Sequence, residues 1–114
     1  MGKIYDSPNW GKVIGRIDSD GLVYDGIGLS AKCIGRVDSD GYVYDGVSFL
    51  SKCIGRFGKD GKVYNGVGMF GACIGRVESD GKVYDGVSLF STCVGRVEPP
   101  HLFGGGAALL LLIR

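Results

Sequence analysis

The sequence predicts an all-β fold in which 20-residue β-hairpin repeats close into a ring or flower-like array, with a short apolar C-terminal segment as plug. Three observations lead there. First, Ile14-Gly15-Arg16 returns as Ile34-Gly35-Arg36, Ile54-Gly55-Arg56, Ile74-Gly75-Arg76 and Val94-Gly95-Arg96. Second, Val23-Tyr24-Asp25-Gly26 returns at Val43, at Val63 (with Asn65 for Asp) and at Val83, each time before a strand-like run. Third, the pattern stops after Val97 and the chain ends in an apolar stretch, Ala107 to Ile113. A short repeat cannot bury its apolar face alone, so the units must stack or close on one another.

Residues 33 to 52 serve as the type unit. Cys33-Ile34-Gly35-Arg36-Val37 reads as a strand, Asp38-Ser39-Asp40-Gly41 as a turn and Tyr42-Val43-Tyr44 as a second strand. Asp45-Gly46 is a second turn, and Val47 to Lys52 leads into the next strand. Asp-Gly between β-rich runs is a strong hairpin signal, because glycine adopts positive φ without a steric penalty. The first turn resembles a type I turn closed by a glycine bulge, a geometry that pairs Val37 with Val43 and Arg36 with Tyr44. Strict alternation then places Cys33, Gly35, Val37 and Val43 on one face and Ile34, Arg36 and Tyr44 on the other. A four-residue loop would instead set Tyr42 opposite Val37. No segment looks helical before residue 104.

The two ends of the repeat complement each other. Lys3-Ile4-Tyr5-Asp6 looks like a second strand without its first, and Val94-Gly95-Arg96-Val97 like a first strand without its second. Pairing them would close a ring of four whole hairpins and one split hairpin and remove the exposed sheet edges. An open solenoid is the competing arrangement; neither end carries an obvious polar cap, which favours closure.

Glu98-Pro99-Pro100-His101 replaces the Asp-Gly turn, and Phe103-Gly104-Gly105-Gly106 precedes the apolar tail. A segment that is apolar on every side is usually buried. As a helix, Ala107 to Arg114 would measure about 12 Å, a length suited to the axis of a small ring. A plug is the expected role, with an oligomer contact and weak membrane attachment as the alternatives.

Bulk properties set the class. The 114 residues suffice for one domain, 1–114, with repeats over 3–97 and the apolar tail over 103–114. Hydrophobic content of 45% and charged content of 22% read as globular. The 22 glycines sit at fixed repeat positions, so they signal turn chemistry and not a flexible linker. A net charge of +1 gives no reason to expect nucleic acid or an anionic membrane as partner. The opening segment belongs to the repeat and is not a secretory signal; Asp6 stands where a myristoylation pattern needs Ser or Thr. No run approaches the ~18 apolar residues of a spanning helix. The expectation is a cytoplasmic protein for which a membrane role is unlikely.

Three recurring side-chain sets are candidates for chemistry. Cys33, Cys53, Cys73 and Cys93 share one repeat position. Converging around a ring they would form a zinc ligand set, but Val13 fills the same slot and there is no Cys-x-x-Cys, so small buried apolar sites are favoured over a metal or disulfides. The turns Asp18-Ser19-Asp20-Gly21, Asp38-Ser39-Asp40-Gly41 and Glu78-Ser79-Asp80-Gly81 suggest calcium loops but lack the further oxygen ligands and the closing glutamate. No metal or other cofactor is expected. Arg16, Arg36, Arg56 and Arg76 should each neighbour a tyrosine across the hairpin: Tyr24, Tyr44, Tyr64 and Tyr84. The ordinary reading is a structural pair, the guanidinium stacked on the ring and bonded to a carboxylate such as Asp25 or Asp45. The functional reading is a ring of ligand-binding sites for an anionic or sugar-like molecule. Arg96 is a fifth copy. The in-strand glycines Gly15, Gly35, Gly55, Gly75 and Gly95 imply that a backbone or ring packs closely over them. Catalysis has little support: His101 is the only histidine, and there is no nucleophile elbow or phosphate-binding loop.

The unit Ile-Gly-Arg-Val-x-x-Asp-Gly-x-Val-Tyr-Asp-Gly, over residues 3 to 97, resembles bacterial β-hairpin repeats of the four-fold beta-flower group, in which hairpins radiate around a central axis. Here Ile/Val-Gly-Arg occurs five times. The resemblance implies a structural or interaction module without an established activity and assigns no site residues; the absence of catalytic motifs gives the expectation that the protein is not an enzyme, with protein partners or a homo-oligomer as its expected associations. A looser likeness to choline-binding repeats fails, since those use Trp/Tyr cages and the only tryptophan is Trp10. The alternatives are a ligand-binding protein using the Arg/Tyr ring and a metalloprotein using the four cysteines.

Overall fold

A computed structural model describes residues 2–7, 11–26, 28, 30–46, 51–66, 71–86, 91–99 and 101–113. Ten antiparallel strands close into a barrel. Five long ones, β2 (Val13–Ile17), β4 (Cys33–Val37), β6 (Cys53–Phe57), β8 (Cys73–Val77) and β10 (Cys93–Val97), alternate with five short ones. The short strands are β1 (Gly2–Tyr5), β3 (Leu22–Tyr24), β5 (Tyr42–Tyr44), β7 (Lys62–Tyr64) and β9 (Lys82–Tyr84). Neighbours in sequence are neighbours in the sheet, and β1 seals the ring by pairing with both β2 and β10. The split hairpin read from the two ends therefore exists: Ile4 faces Val97 and Tyr5 faces Arg96. The ring contains five hairpins and has no free sheet edge.

The turns have the expected geometry. The Gly21 amide donates to the Asp18 carbonyl, the Asp18 amide donates to the Leu22 carbonyl, and Gly21 has φ +85°. Gly41, Gly61 and Gly81 repeat this at φ +94°, +85° and +92°. The type I turn with a glycine bulge fixes the register, and Arg36 pairs with Tyr44 and Val37 with Val43. Each turn glycine also reaches the next hairpin: the Gly21 carbonyl accepts from the Val37 amide at 2.8 Å.

One expectation about faces needs correction. On the other edge of β4, Val23 pairs with Gly35 but Tyr24 pairs with Cys33, so Ile34 is the extra residue of a β-bulge. The slip moves Cys33 onto the tyrosine face and turns Ile34 onto the core. The same slip recurs beside Cys53, Cys73 and Cys93 and at Val13. Ile14, Ile54, Ile74 and Val94 join Ile34 against the core, while the cysteines are half-buried and outside it.

The tail is the plug. Helix α1 (Leu102–Ala108) runs on into a π-helical turn, Leu109–Ile113. The helix begins earlier than the sequence suggests and includes all three glycines. α1 touches all five long strands and β1, and Gly105 to Leu109 are buried. Large and small residues interlock along the axis. Where the wall carries Ile17, Val37, Phe57, Val77 and Val97, the helix offers Gly104, Gly105 and Gly106: a Cβ on Gly106 would collide with Val77, one on Gly105 would lie 2.5 Å from Val97 Cγ1, and one on Gly104 would touch Ile17, Val37 and Phe57 at 3.4–3.8 Å. Where the long strands carry glycine, the tail supplies its bulk. A Cβ on Gly95 would meet Leu109, and those on Gly75, Gly55, Gly35 and Gly15 would meet Leu110, Leu111, Leu112 and Ile113 at 2.6–2.8 Å.

Five consecutive residues thus dock one by one on five successive long strands. Neighbours in a five-membered ring lie about 72° apart, whereas an α-helix advances about 100° per residue. The wider π-turn, bonded i→i+5, takes smaller steps and matches the ring better. Two contacts account for the recurring in-strand glycines: a Cβ there would collide with the backbone carbonyl oxygen of Tyr24, Tyr44, Tyr64, Tyr84 or Tyr5 on the neighbouring strand, and each glycine leaves room for one tail side chain.

Candidate functional site

The Arg/Tyr set occupies the outer face. All four expected pairs form, with guanidinium carbon to ring centroid at 3.9 Å for Arg16–Tyr24 and Arg36–Tyr44 and 4.1 Å for Arg56–Tyr64 and Arg76–Tyr84. They lie on four different hairpins around the barrel, so they form separate stacks and do not pool into one pocket. The polar partners differ from expectation. Arg16 Nε donates to Asp18 Oδ1 at 3.2 Å, and its Nη1 donates to the carbonyls of Gly26 and Gly28. Arg76 Nε likewise donates to Glu78 at 3.2 Å, and its Nη1 to the Gly86 carbonyl at 3.1 Å. One guanidinium thereby ties the acid of the tight turn to the neck of the following loop, roughly the length of the hairpin. Asp25, named above as the carboxylate partner, accepts from the Lys32 amide instead, and Asp45 stands at the same place, its amide bonded to the Lys52 carbonyl.

That second role explains one irregularity in the repeat. The neck residue needs an acceptor oxygen for a backbone N–H, not a charge. Asp6 accepts from Lys12, Asp25 from Lys32 and Asn65 from Ala72, at 2.9–3.1 Å. Asn65 can replace Asp because its Oδ1 makes the same bond. The five necks are closed by matching amide–carbonyl bonds, from Asp6, Asp25, Asp45, Asn65 and Asp85. All five loops therefore leave the barrel at one end, opposite the glycine turns.

The second unit departs from the Arg–acid pattern. Asp38 Oδ1 accepts from the amides of Asp40 and Tyr42, and Oδ2 from the Tyr44 hydroxyl at 3.3 Å. Arg36 keeps its stack on Tyr44 without an ion pair to Asp38. Desolvation and the adjacent Asp38 carboxylate raise the Tyr44 phenol above its ordinary pKa.

The fifth member, not paired in the sequence reading, is Tyr5. It stands opposite Arg96, and its hydroxyl donates to Glu98 Oε2 at 2.9 Å. Its signal was the run Ile4-Tyr5-Asp6, a copy of Val-Tyr-Asp. The hydrogen bond to Glu98, with burial adding to it, raises the Tyr5 phenol above its ordinary value. A raised phenol pKa stabilises the fold below the unfolded value of about 10, and that contribution is lost as pH rises through the folded value. Tyr5→Phe should therefore flatten the fall of stability above about pH 10. Urea melts across alkaline pH check this; an unchanged alkaline slope would contradict the Tyr5–Glu98 bond.

The cysteines do not gather. They lie on β4, β6, β8 and β10 as free thiols, each with Sγ 3.4–3.6 Å from the carbonyl oxygen two residues on. Among the described residues no group of three or more His, Cys, Asp or Glu is placed to hold a metal ion. Their half-buried setting replaces the fully buried sites expected, because the bulge rotates them off the core. No helix among the described residues is long and apolar enough to cross a membrane.

The site so defined is a ring scaffold whose repeating polar side chains bond largely within and between adjacent units. No protein-family model, curated protein or solved structure matches the chain.

Proposed function

We propose that this protein is a non-catalytic interaction module that assembles with a second copy of itself through the loop-bearing end of the ring. The observation that carries the reading is the division of labour in the repeat. The strand, turn and neck residues recur and are engaged in the scaffold, as the Arg16 and Arg76 networks illustrate. The loop sequences between the necks vary, yet each keeps bulky apolar residues: Trp10, Leu29, Phe49, Met69 and Leu89 stand one in each loop, outside the described residues. The five necks sit at one end of the barrel, and the sequences between them share the composition of an apolar contact surface. An apolar residue in every loop suits an isologous contact, in which each copy offers the same patch.

The test is sedimentation over a concentration series, comparing the full chain with a variant carrying serine at those five positions. The expected result is a dimer that the variant abolishes while its melting temperature stays within a few degrees. A full chain that remains monomeric at the highest concentration, or a variant that still dimerises, would overturn the reading.

A further inference from the structure

At the opposite end of the ring the packing is lopsided. The helix leans on β8 and β10: a Cβ on Gly106 or Gly105 has no room beside Val77 or Val97, whereas one on Gly104 finds only ordinary contact with Ile17, Val37 and Phe57. A cleft of about 800 Å³ opens between the first two glycine turns and the start of α1 and reaches Ser79 in the turn after β8. That volume lies within the range of small-molecule sites. Two departures from the repeat fall on its wall. Phe57 is the one aromatic in a ring otherwise made of Ile17, Val37, Val77 and Val97, and it is half-buried where they are buried. Val37 is 8% exposed, against 1–2% for Ile17, Val77 and Val97.

The floor is apolar and aromatic, with Phe57 and Phe103 facing the space beside Ile17 and Val37. The rim carries Asp20 and Asp38. Neither is in an ion pair among the described residues, although Asp18 and Glu78 pair with their arginines at 3.2 Å. Asp38 is held by two amides and the Tyr44 hydroxyl, neutral donors that orient its carboxylate and leave its charge in place. Two basic side chains are on the lining, His101 before the helix and Arg36, which is stacked on Tyr44. Two carboxylates over phenyl rings select positive charge on an apolar body, since ring faces also attract cations.

We infer that this cleft is a binding site for an amphiphilic organic cation, an aryl- or alkylammonium, with its apolar body against Phe57 and Phe103 and its ammonium group at Asp20 and Asp38. The inference is independent of the loop end and survives or fails apart from it.

The probe is 4-phenylbutylammonium, titrated into the full chain and followed by amide and methyl chemical shifts, with 4-phenylbutyrate as the charge-reversed control. The expected result is saturable binding, with Kd of about 1 mM or tighter. The shifts should centre on Val37, Phe57, Phe103 and Gly104, and the butyrate should bind at least about tenfold more weakly. Gly104→Leu, which fills the cleft from the helix, should abolish binding. The pair Asp20→Asn and Asp38→Asn should weaken the cation roughly tenfold and erase its preference over the butyrate, with melting temperature confirming the fold in both variants. Equal affinity for the two probes, shifts centred elsewhere, or undiminished binding by folded Gly104→Leu would overturn the assignment.

Discussion

A chain that stops at Gly106 will not fold cooperatively. The truncation removes Ala107 and Ala108 and the five side chains that cover Gly95, Gly75, Gly55, Gly35 and Gly15. It leaves a barrel whose long strands carry only glycine at that level and whose Ile4, Val23, Val43, Val63 and Val83, paired with those glycines and all 0% exposed in the intact chain, lose their cover. Leu109 is buried and Leu110 to Ile113 are half-buried; about 2 kcal/mol for the first and about 1 kcal/mol for each of the other four total roughly 6 kcal/mol. The whole stability of a domain is about 5–15 kcal/mol. Near-UV circular dichroism and thermal melting should show no cooperative transition for the truncated chain. A sharp transition within a few degrees of the full chain would show that the ring stands without its plug.

Alanine at Gly106 and at Gly104 should act in opposite directions. Both changes raise helix propensity, and at an open position that contributes about 0.5–1 kcal/mol. Gly104→Ala should therefore stabilise, because its Cβ meets Ile17, Val37 and Phe57 at 3.4–3.8 Å. At Gly106 the new methyl drives into Val77, which is held in β8 and stiff at χ1, so the helix or the strand must shift. Overpacking of this kind costs about 3 kcal/mol, enough to lower the melting temperature by ~10 °C or more in a domain of this size. Thermal melts of the two variants decide the matter. Two changes of the same sign would mean that the helix does not lean on β8 and β10.

Much of this architecture was legible in the residues. Gly41 specified its turn, the turn fixed the register of Arg36 with Tyr44, and the two half-hairpins at the ends announced closure. Cys33 was misplaced because alternation assumes an uninterrupted pleat, and nothing in Cys33-Ile34-Gly35 marks the bulge that shifts it. Bulges arise from pairing with the next hairpin, a non-local demand. The start of the helix at Leu102 was hidden because Gly104, Gly105 and Gly106 have low helix propensity. At Gly105 and Gly106 packing overrides that propensity, because a Cβ there has no room beside Val97 or Val77. The acid partner of Arg16 was sought at Asp25, the near end of the long loop. The glycine-bulge turn instead brings Asp18, two residues away, beside the guanidinium. As for the candidate sites, the stacking of the arginines was readable from spacing. The turn-end cleft was not, since it depends on where the start of α1 packs in the ring.

The central claim is that the tail threads the ring and docks residue by residue on the strand glycines. The most direct measurement is a set of nuclear Overhauser contacts between the methyls of Leu109 to Ile113 and the glycine Hα protons of the strands. The pairs expected are Leu109 with Gly95, Leu110 with Gly75, Leu111 with Gly55, Leu112 with Gly35 and Ile113 with Gly15. That ordered set, stepping once around the barrel, is what five-fold docking predicts. Methyls with no glycine contacts, or contacts from several of them to a single strand, would contradict it.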